Sequence, residues 1–232
     1  MNSRFADISQ VGVVSSFEEL IDTEFQGSIN AICWSRDLTG DFKEVASKLQ
    51  LKENVTEIAV EELLDLTLSV AGAMARVTIL EDLKLLGALG LSPVLNLIKS
   101  YERDEILDFI STDVYSYHVD RSPVATDTFL CTYDGAASDI LPNDQAEQQI
   151  LIPEIRQKLQ DLYDGPEGGF ESFLEEHFFD LHYRPQPNAS PLNLGLGHLW
   201  KLAVDHPEQQ VLPCVHRAPQ ENEGEYRLLL IC

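Results

Sequence analysis

The run Tyr115-Ser116-Tyr117-His118-Val119-Asp120, answered near the C-terminus by His216 and Arg227 in Tyr226-Arg227-Leu228-Leu229-Leu230-Ile231, carries most of what the chain says about itself. Successive side chains on a β-strand alternate faces, so His118 and Asp120, two apart, project to the same side. A second histidine from a distant strand, His216, would complete two imidazoles and one carboxylate on one face of a metal ion. Ten residues separate His216 from Arg227, as they would with one strand, a turn and the start of the next. The apolar run around Arg227 reads as a buried strand. A buried arginine needs an anionic partner, and a small-molecule carboxylate would supply one.

Two histidines and a carboxylate that leave the remaining coordination positions open form the facial triad of non-haem iron(II) oxygenases. The set His118-Val119-Asp120, then His216, then Arg227 resembles the iron(II)/2-oxoglutarate-dependent dioxygenase superfamily, whose pattern is H-x-D, a long gap, H, about ten residues, then Arg or Lys. The stretch from His216-Arg217-Ala218-Pro219 to Arg227-Leu228-Leu229 looks like the corresponding part of phytanoyl-CoA-hydroxylase-type members. The segments Ala31 to Arg36 and His118 through Phe129-Leu130-Cys131-Thr132-Tyr133-Asp134-Gly135 are similar to an uncharacterised bacterial domain family, a likeness that brings no function with it. The superfamily resemblance implies Fe(II) held by His118, Asp120 and His216, with 2-oxoglutarate as co-substrate and Arg227 receiving its distal carboxylate. The superfamily often places Ser or Thr two residues after this arginine; Leu229 stands there, so Thr132 and Tyr133 are the candidates to supply a hydroxyl. Asp120 argues against the halogenase branch, in which Gly or Ala vacates this position. The implied reaction is hydroxylation of a small-molecule metabolite. The alternatives are a cupin-like metalloenzyme that does not use 2-oxoglutarate and a non-catalytic jelly-roll binding protein.

Composition narrows the partners. Of 232 residues, 44% are hydrophobic, enough for a sizeable core. Sixteen basic residues stand against 39 acidic ones, a formal net charge of −23. Nucleic acid is therefore excluded as a partner, since binding phosphates needs clustered Lys and Arg. Anionic membrane surfaces are disfavoured for the same reason. Acidity suits solubility, and it leans toward a cationic substrate if it steers anything. Cys33, Cys131, Cys214 and Cys232 show no C-x-x-C spacing, which argues against a structural zinc site and fits a reducing compartment. The opening residues Met1 to Asp7 lack a signal-peptide pattern, and a cytoplasmic location is expected.

The expected architecture is α+β: a double-stranded β-helix (jelly roll) with an α-helical N-terminal region packed outside it. Residues 1–104 form the mainly helical part and 105–232 the metal-binding core, within one compact domain. A short strand is expected over Ser28–Trp34 and a helix capped by Asp41. Two helices are expected across Val60–Leu91, followed by a third segment around Val94 to Tyr101. Strands are expected over Ile106–Val119, Thr126–Tyr133, Leu194–Val204, Gln210–Val215 and Tyr226–Cys232. Asp139–Gln149 reads as a polar loop, Pro153–Asp164 as a helix and Phe170–Phe179 as a helix or lid. Arg121 and Arg217 follow metal candidates and should face away. His177, His182, His198 and His206 read as non-ligands, and Trp200 and Lys201 as candidates to line the pocket. No phosphate loop, dinucleotide fingerprint or Gly-x-Ser-x-Gly occurs.

Overall fold

The computed structural model describes Phe5, residues 8–220, Asn222 and residues 224–232. The N-terminal stretch read as lacking a signal peptide lies outside these residues, Phe5 apart. Among the described residues the chain is a mixed α+β fold with six α-helices, and its strands form two sheets, one of seven strands and one of six. In chain order the strands are β1 (Val11–Val14), β2 (Ala31–Trp34), β3 (Val55–Glu57), β4 (Val94–Ile98), β5 (Tyr117–His118), β6 (Asp127–Asp134) and β7 (Asp139–Ile140). After them come β8 (Ala146–Gln148), β9 (His182–Pro185), β10 (Leu192–Asn193), β11 (Leu199–Ala203), β12 (His216–Arg217) and β13 (Arg227–Ile231). The larger sheet runs β1-β2-β11-β6-β13-β4-β3 and the smaller β10-β7-β12-β5-β9-β8. Apart from the parallel β1–β2 pair, the strand pairs are antiparallel.

Helices α1 (Phe17–Asp22), α2 (Phe42–Lys48), α3 (Val60–Leu64) and α4 (Val70–Ala88) cover one face of the larger sheet. Ser16, Asp41 and Ser69 begin α1, α2 and α4 by accepting the backbone N–H three residues on, which satisfies a donor the helix leaves orphaned. Alternation on the strands sorts the core into two layers. Phe129, Cys131, Tyr133, Leu228 and Leu230 point toward the helices, whereas Leu130 and Leu229 point toward the smaller sheet and meet Ile140 and Cys214 there. Helices α5 (Pro153–Leu162) and α6 (Phe170–Glu176) enclose a separate cluster around Ile110, Leu159 and Phe179.

Several segments differ from the sequence expectation, each for a local reason. Strands from both sides of residue 104 build one sheet, because β2 pairs with β11 and β4 pairs with β13. Val94–Ile98 is a strand in that sheet; a run of five residues, apolar but for Asn96, is too short for its periodicity to separate strand from helix. Only Tyr117–His118 of the expected Ile106–Val119 strand forms. The carboxylates of Asp104 and Asp113 take the N–H groups of Ile106, Thr112, Tyr115 and Ser116, which would otherwise join a ladder. Gln210–Val215 is likewise irregular. Gln209 takes the N–H of Gln210 and Val211, Pro213 has none to give, and the amide of Asn30 donates to the Leu212 and Pro213 carbonyls. The expected polar loop over Asp139–Gln149 contains β7 and β8.

Beneath the sheet, Arg36 makes two bonds to Asp82 of α4, at 2.7 and 2.5 Å, and Tyr133 donates to the same carboxylate at 2.5 Å. Asp82 is 2% exposed, so removing it strands a buried guanidinium. Asp82→Ala is expected to cost about 3–5 kcal/mol in chemical denaturation. Ligand binding on the far side of the sheet should stay intact, as calorimetry would read.

Candidate metal centre

Strand β5 lies directly beside β12, and their shared register sets His118 opposite His216. Side chains directly opposite in a sheet share a face, and here the two imidazole rings stand 4.7 Å apart. Asp120, two residues beyond His118, turns its carboxylate to both. One oxygen is 3.9 Å from His118 Nε2 and the other 3.7 Å from His216 Nε2. One ligand atom from each of the three lies within 4.8 Å of the other two, a grouping able to hold a metal ion. The three sequence-nominated ligands are thus brought together.

Each ring is fixed from behind. His118 Nδ1 donates to the Ser116 carbonyl at 2.8 Å, and His216 Nδ1 donates to the Cys214 carbonyl at 3.1 Å. Both rings are then held with the Nε2 lone pair facing Asp120, the tautomer a metal needs. Asp120 accepts a bond from Thr128 Oγ1 at 2.6 Å, which aims the carboxylate. Burial pushes the His118 imidazole down to about 4, with the adjacent His216 acting in the same direction. Burial alone would raise the Asp120 carboxyl, but His216, the Thr128 hydroxyl and His118 outweigh it and hold the group below its ordinary value. At neutral pH the His118 imidazole is therefore neutral beside the Asp120 carboxylate, and neither of these two groups sheds a proton to take a cation.

These residues line a cavity of about 220 Å³ between the sheets, together with Arg227 and Ser138. Arg227 is 7% exposed, and its guanidinium donates to Thr132 Oγ1 at 3.0 Å and Ser138 Oγ at 2.8 Å. Its Nε is buried with no partner, and no carboxylate pairs with it among the described residues. Burial pulls its pKa down, only partly opposed by the neighbouring Tyr101 hydroxyl. A glycine makes this placement possible. Gly135 has φ +82°, and a Cβ there would meet the Tyr226 carbonyl at 2.5 Å and Arg227 Cα at 2.9 Å.

The other nominated residues separate cleanly. Thr132 accepts from Arg227 behind the cavity lining; Tyr133, its neighbour, points to the helix side and bonds to Asp82, so the structure does not bring it to the site. Trp200 is a fully buried core residue donating to the Leu194 carbonyl, and Lys201 reaches the carbonyls of Ile21 and Thr23; neither lines this cavity. Arg121 faces away toward Asp180 and Asp205, and Arg217 toward Asp139. His182 pairs in register with His118, and Ser116 Oγ meets its Nδ1 at 2.5 Å. Ser138, Thr128 and His182 were not nominated, since their roles follow from strand pairing and no motif marks them. No protein-family model, no curated protein and no solved structure matches this chain.

Replacing Thr128 by Val should cut affinity for a divalent metal about 10–100-fold in a competition titration, the usual effect of losing a group that orients a ligand. A second expectation concerns pH. His182 is 4% exposed, and burial pushes it down to about 4. The unfolded chain therefore binds a proton there that the folded chain refuses, and stability is lost as pH falls from about 6.5 toward 4. Relative to His182→Gln, the wild type should lose up to ~1.4 kcal/mol per pH unit in that window, measured by urea unfolding. Parallel stability curves for the two proteins would refute this.

Proposed function

We propose that this chain is an iron(II)/2-oxoglutarate-dependent oxygenase built on a double-stranded β-helix and hydroxylating a small-molecule metabolite. The strand order supports the fold. Taken in chain order, β4, β5, β6, β7, β10, β11, β12 and β13 form two four-stranded antiparallel runs, β4-β13-β6-β11 and β5-β12-β7-β10. Eight strands distributed over two sheets in this way match a jelly roll, with β1 to β3 extending the larger sheet and β8 and β9 the smaller. The donor set supports the metal: two imidazoles and one carboxylate suit ferrous iron and leave positions for other ligands.

One observation carries the assignment of the co-substrate. Arg227 is a buried cation without a carboxylate, held by two hydroxyls and lining the same cavity as the histidines. The two hydroxyls accept from Nη2, leaving Nε without a partner and the charge without a counter-ion, so an anion entering the cavity gains a charge-assisted, forked contact. A dicarboxylate with one end at Arg227 and the other toward His118, Asp120 and His216 fits that polarity. Bound iron and 2-oxoglutarate would supply the chemistry by which dioxygen gives one oxygen atom to 2-oxoglutarate, which leaves as succinate and carbon dioxide, and the other to a substrate C–H bond. The chain's own part is positional. Ser116 and Cys214 fix the imidazoles, Thr128 aims Asp120, and Thr132 and Ser138 hold the guanidinium. Leu130, Leu229 and Ile231 wall the space against water.

Anaerobic addition of iron(II) and 2-oxoglutarate should produce a visible charge-transfer band, with succinate forming once oxygen is admitted. Arg227→Ala should weaken 2-oxoglutarate binding by about 2–5 kcal/mol while iron affinity stays nearly unchanged. Asp120→Ala should abolish succinate formation without unfolding the chain. An absent band and no succinate from the wild type across a metabolite panel would refute the reading.

A further inference from the structure

Most of the cavity wall is apolar, formed by Val55, Ile98, Val114, Leu130, Ala218, Leu229 and Ile231. Val55 on edge strand β3 and Val114 in the loop before β5 keep 38% and 37% of their surface exposed, which makes them the rim by which a molecule enters. Asn96 of β4 lines the same wall, and its side chain makes no hydrogen bond with any described residue. Strand pairing explains the position. Asn96 stands between Glu57 of edge strand β3 and Leu229, which stands opposite Thr132, so the four occupy one row across the sheet, with the exposed Glu57 outside the cavity lining. The charged groups lining the cavity are Asp120 and Arg227, besides the two histidines.

From this lining we infer that the substrate is an uncharged, mainly apolar small molecule whose one polar group hydrogen-bonds the Asn96 amide; the inference rests on the oxygenase reading, which commits Asp120 to metal and Arg227 to the co-substrate. With those two groups taken, a charged substrate would lose its hydration and gain no counter-ion. An amide or hydroxyl loses less and recovers a bond at Asn96. The net charge of −23 acts outside the cavity, as a long-range field on approach, and does not reach the lining as a salt-bridge partner. The cavity also limits size. At about 220 Å³ it falls below the roughly 300–1,000 Å³ of pockets that enclose drug-sized ligands. A substrate sharing it with a dicarboxylate therefore puts only a small branched or linear apolar end inside.

Three matched probes test this: isovaleramide (neutral), isoamylamine (cationic) and isovalerate (anionic), each titrated into the full chain with zinc(II) and saturating 2-oxoglutarate by ligand-observed NMR. The neutral probe should bind at least ten-fold more tightly than the cation. Asn96→Leu should weaken the neutral probe five-fold or more while leaving 2-oxoglutarate affinity, read by calorimetry, unchanged. Asn96→Asp should shift preference toward isoamylamine. Tighter binding of the cation to the wild type, equal binding of neutral and cation, no effect of either Asn96 variant, or no binding of any probe at millimolar concentration would overturn the inference. The comparison of neutral with cation does not involve Arg227. A missing charge-transfer band together with a retained neutral preference would therefore reject the oxygenase reading alone, and a band with cation preference would reject the inference alone.

Discussion

The pairing of β5 with β12 is the constraint on which the site depends. Each strand is only two residues long, yet their register alone puts His118 opposite His216 and brings Asp120 to both. A slip of one residue would turn one imidazole to the other face, since the side-chain period of a strand is two. So short a ladder cannot hold its register by itself. The neighbours supply the rest: β7 on one side of β12, β9 on the other side of β5, and the Ser116 and Cys214 carbonyls that hold the rings.

The buried charge at Arg227 is the second organising feature. A guanidinium taken from water is costly, and hydroxyl groups recover only part of that cost. The fold nevertheless keeps it, through a glycine turn that lets Gly135 touch the Arg227 backbone and through a shift in register between β6 and β13. Across that shift Leu228 pairs with Asp134 but Leu229 with Thr132. The extra residue on β6 is Tyr133, which stays on the helix side with Asp82, while Thr132 accepts from Arg227 behind the cavity lining. Two adjacent residues thus serve opposite layers of the molecule, one the scaffold and one the site.

The helical layer and the cavity are separated by a single sheet, which makes the division of labour simple. Arg36, Asp82 and Tyr133 form a satisfied ionic cluster among apolar residues on one side. On the other side the polar groups converge on a space: Nε2 of two histidines, a carboxylate, an arginine and the open amide of Asn96. Polar groups that find all their partners within the chain hold structure; those left facing a cavity are where a ligand can gain.

The sequence by itself determined the residue types of the site, because H-x-D on a strand is a statement about local periodicity, and it marked Arg227 as buried because a charge within an apolar run needs a partner. Caps and proline likewise placed α2 and α5, whose first turns are decided within a few residues. Tertiary structure decided what depends on pairing between distant segments. It placed Val94–Ile98 within a sheet, withheld Gln210–Val215 from one, selected Thr132 over Tyr133, and set Ser138, Thr128 and His182 around the site. These outcomes rest on which strand lies beside which and on side chains that capture backbone N–H groups across a turn. The strand partners lie far apart in sequence. A local capture, such as that of the Gln210 and Val211 N–H groups by Gln209, wins only where no partner strand competes for them, which a short window does not contain.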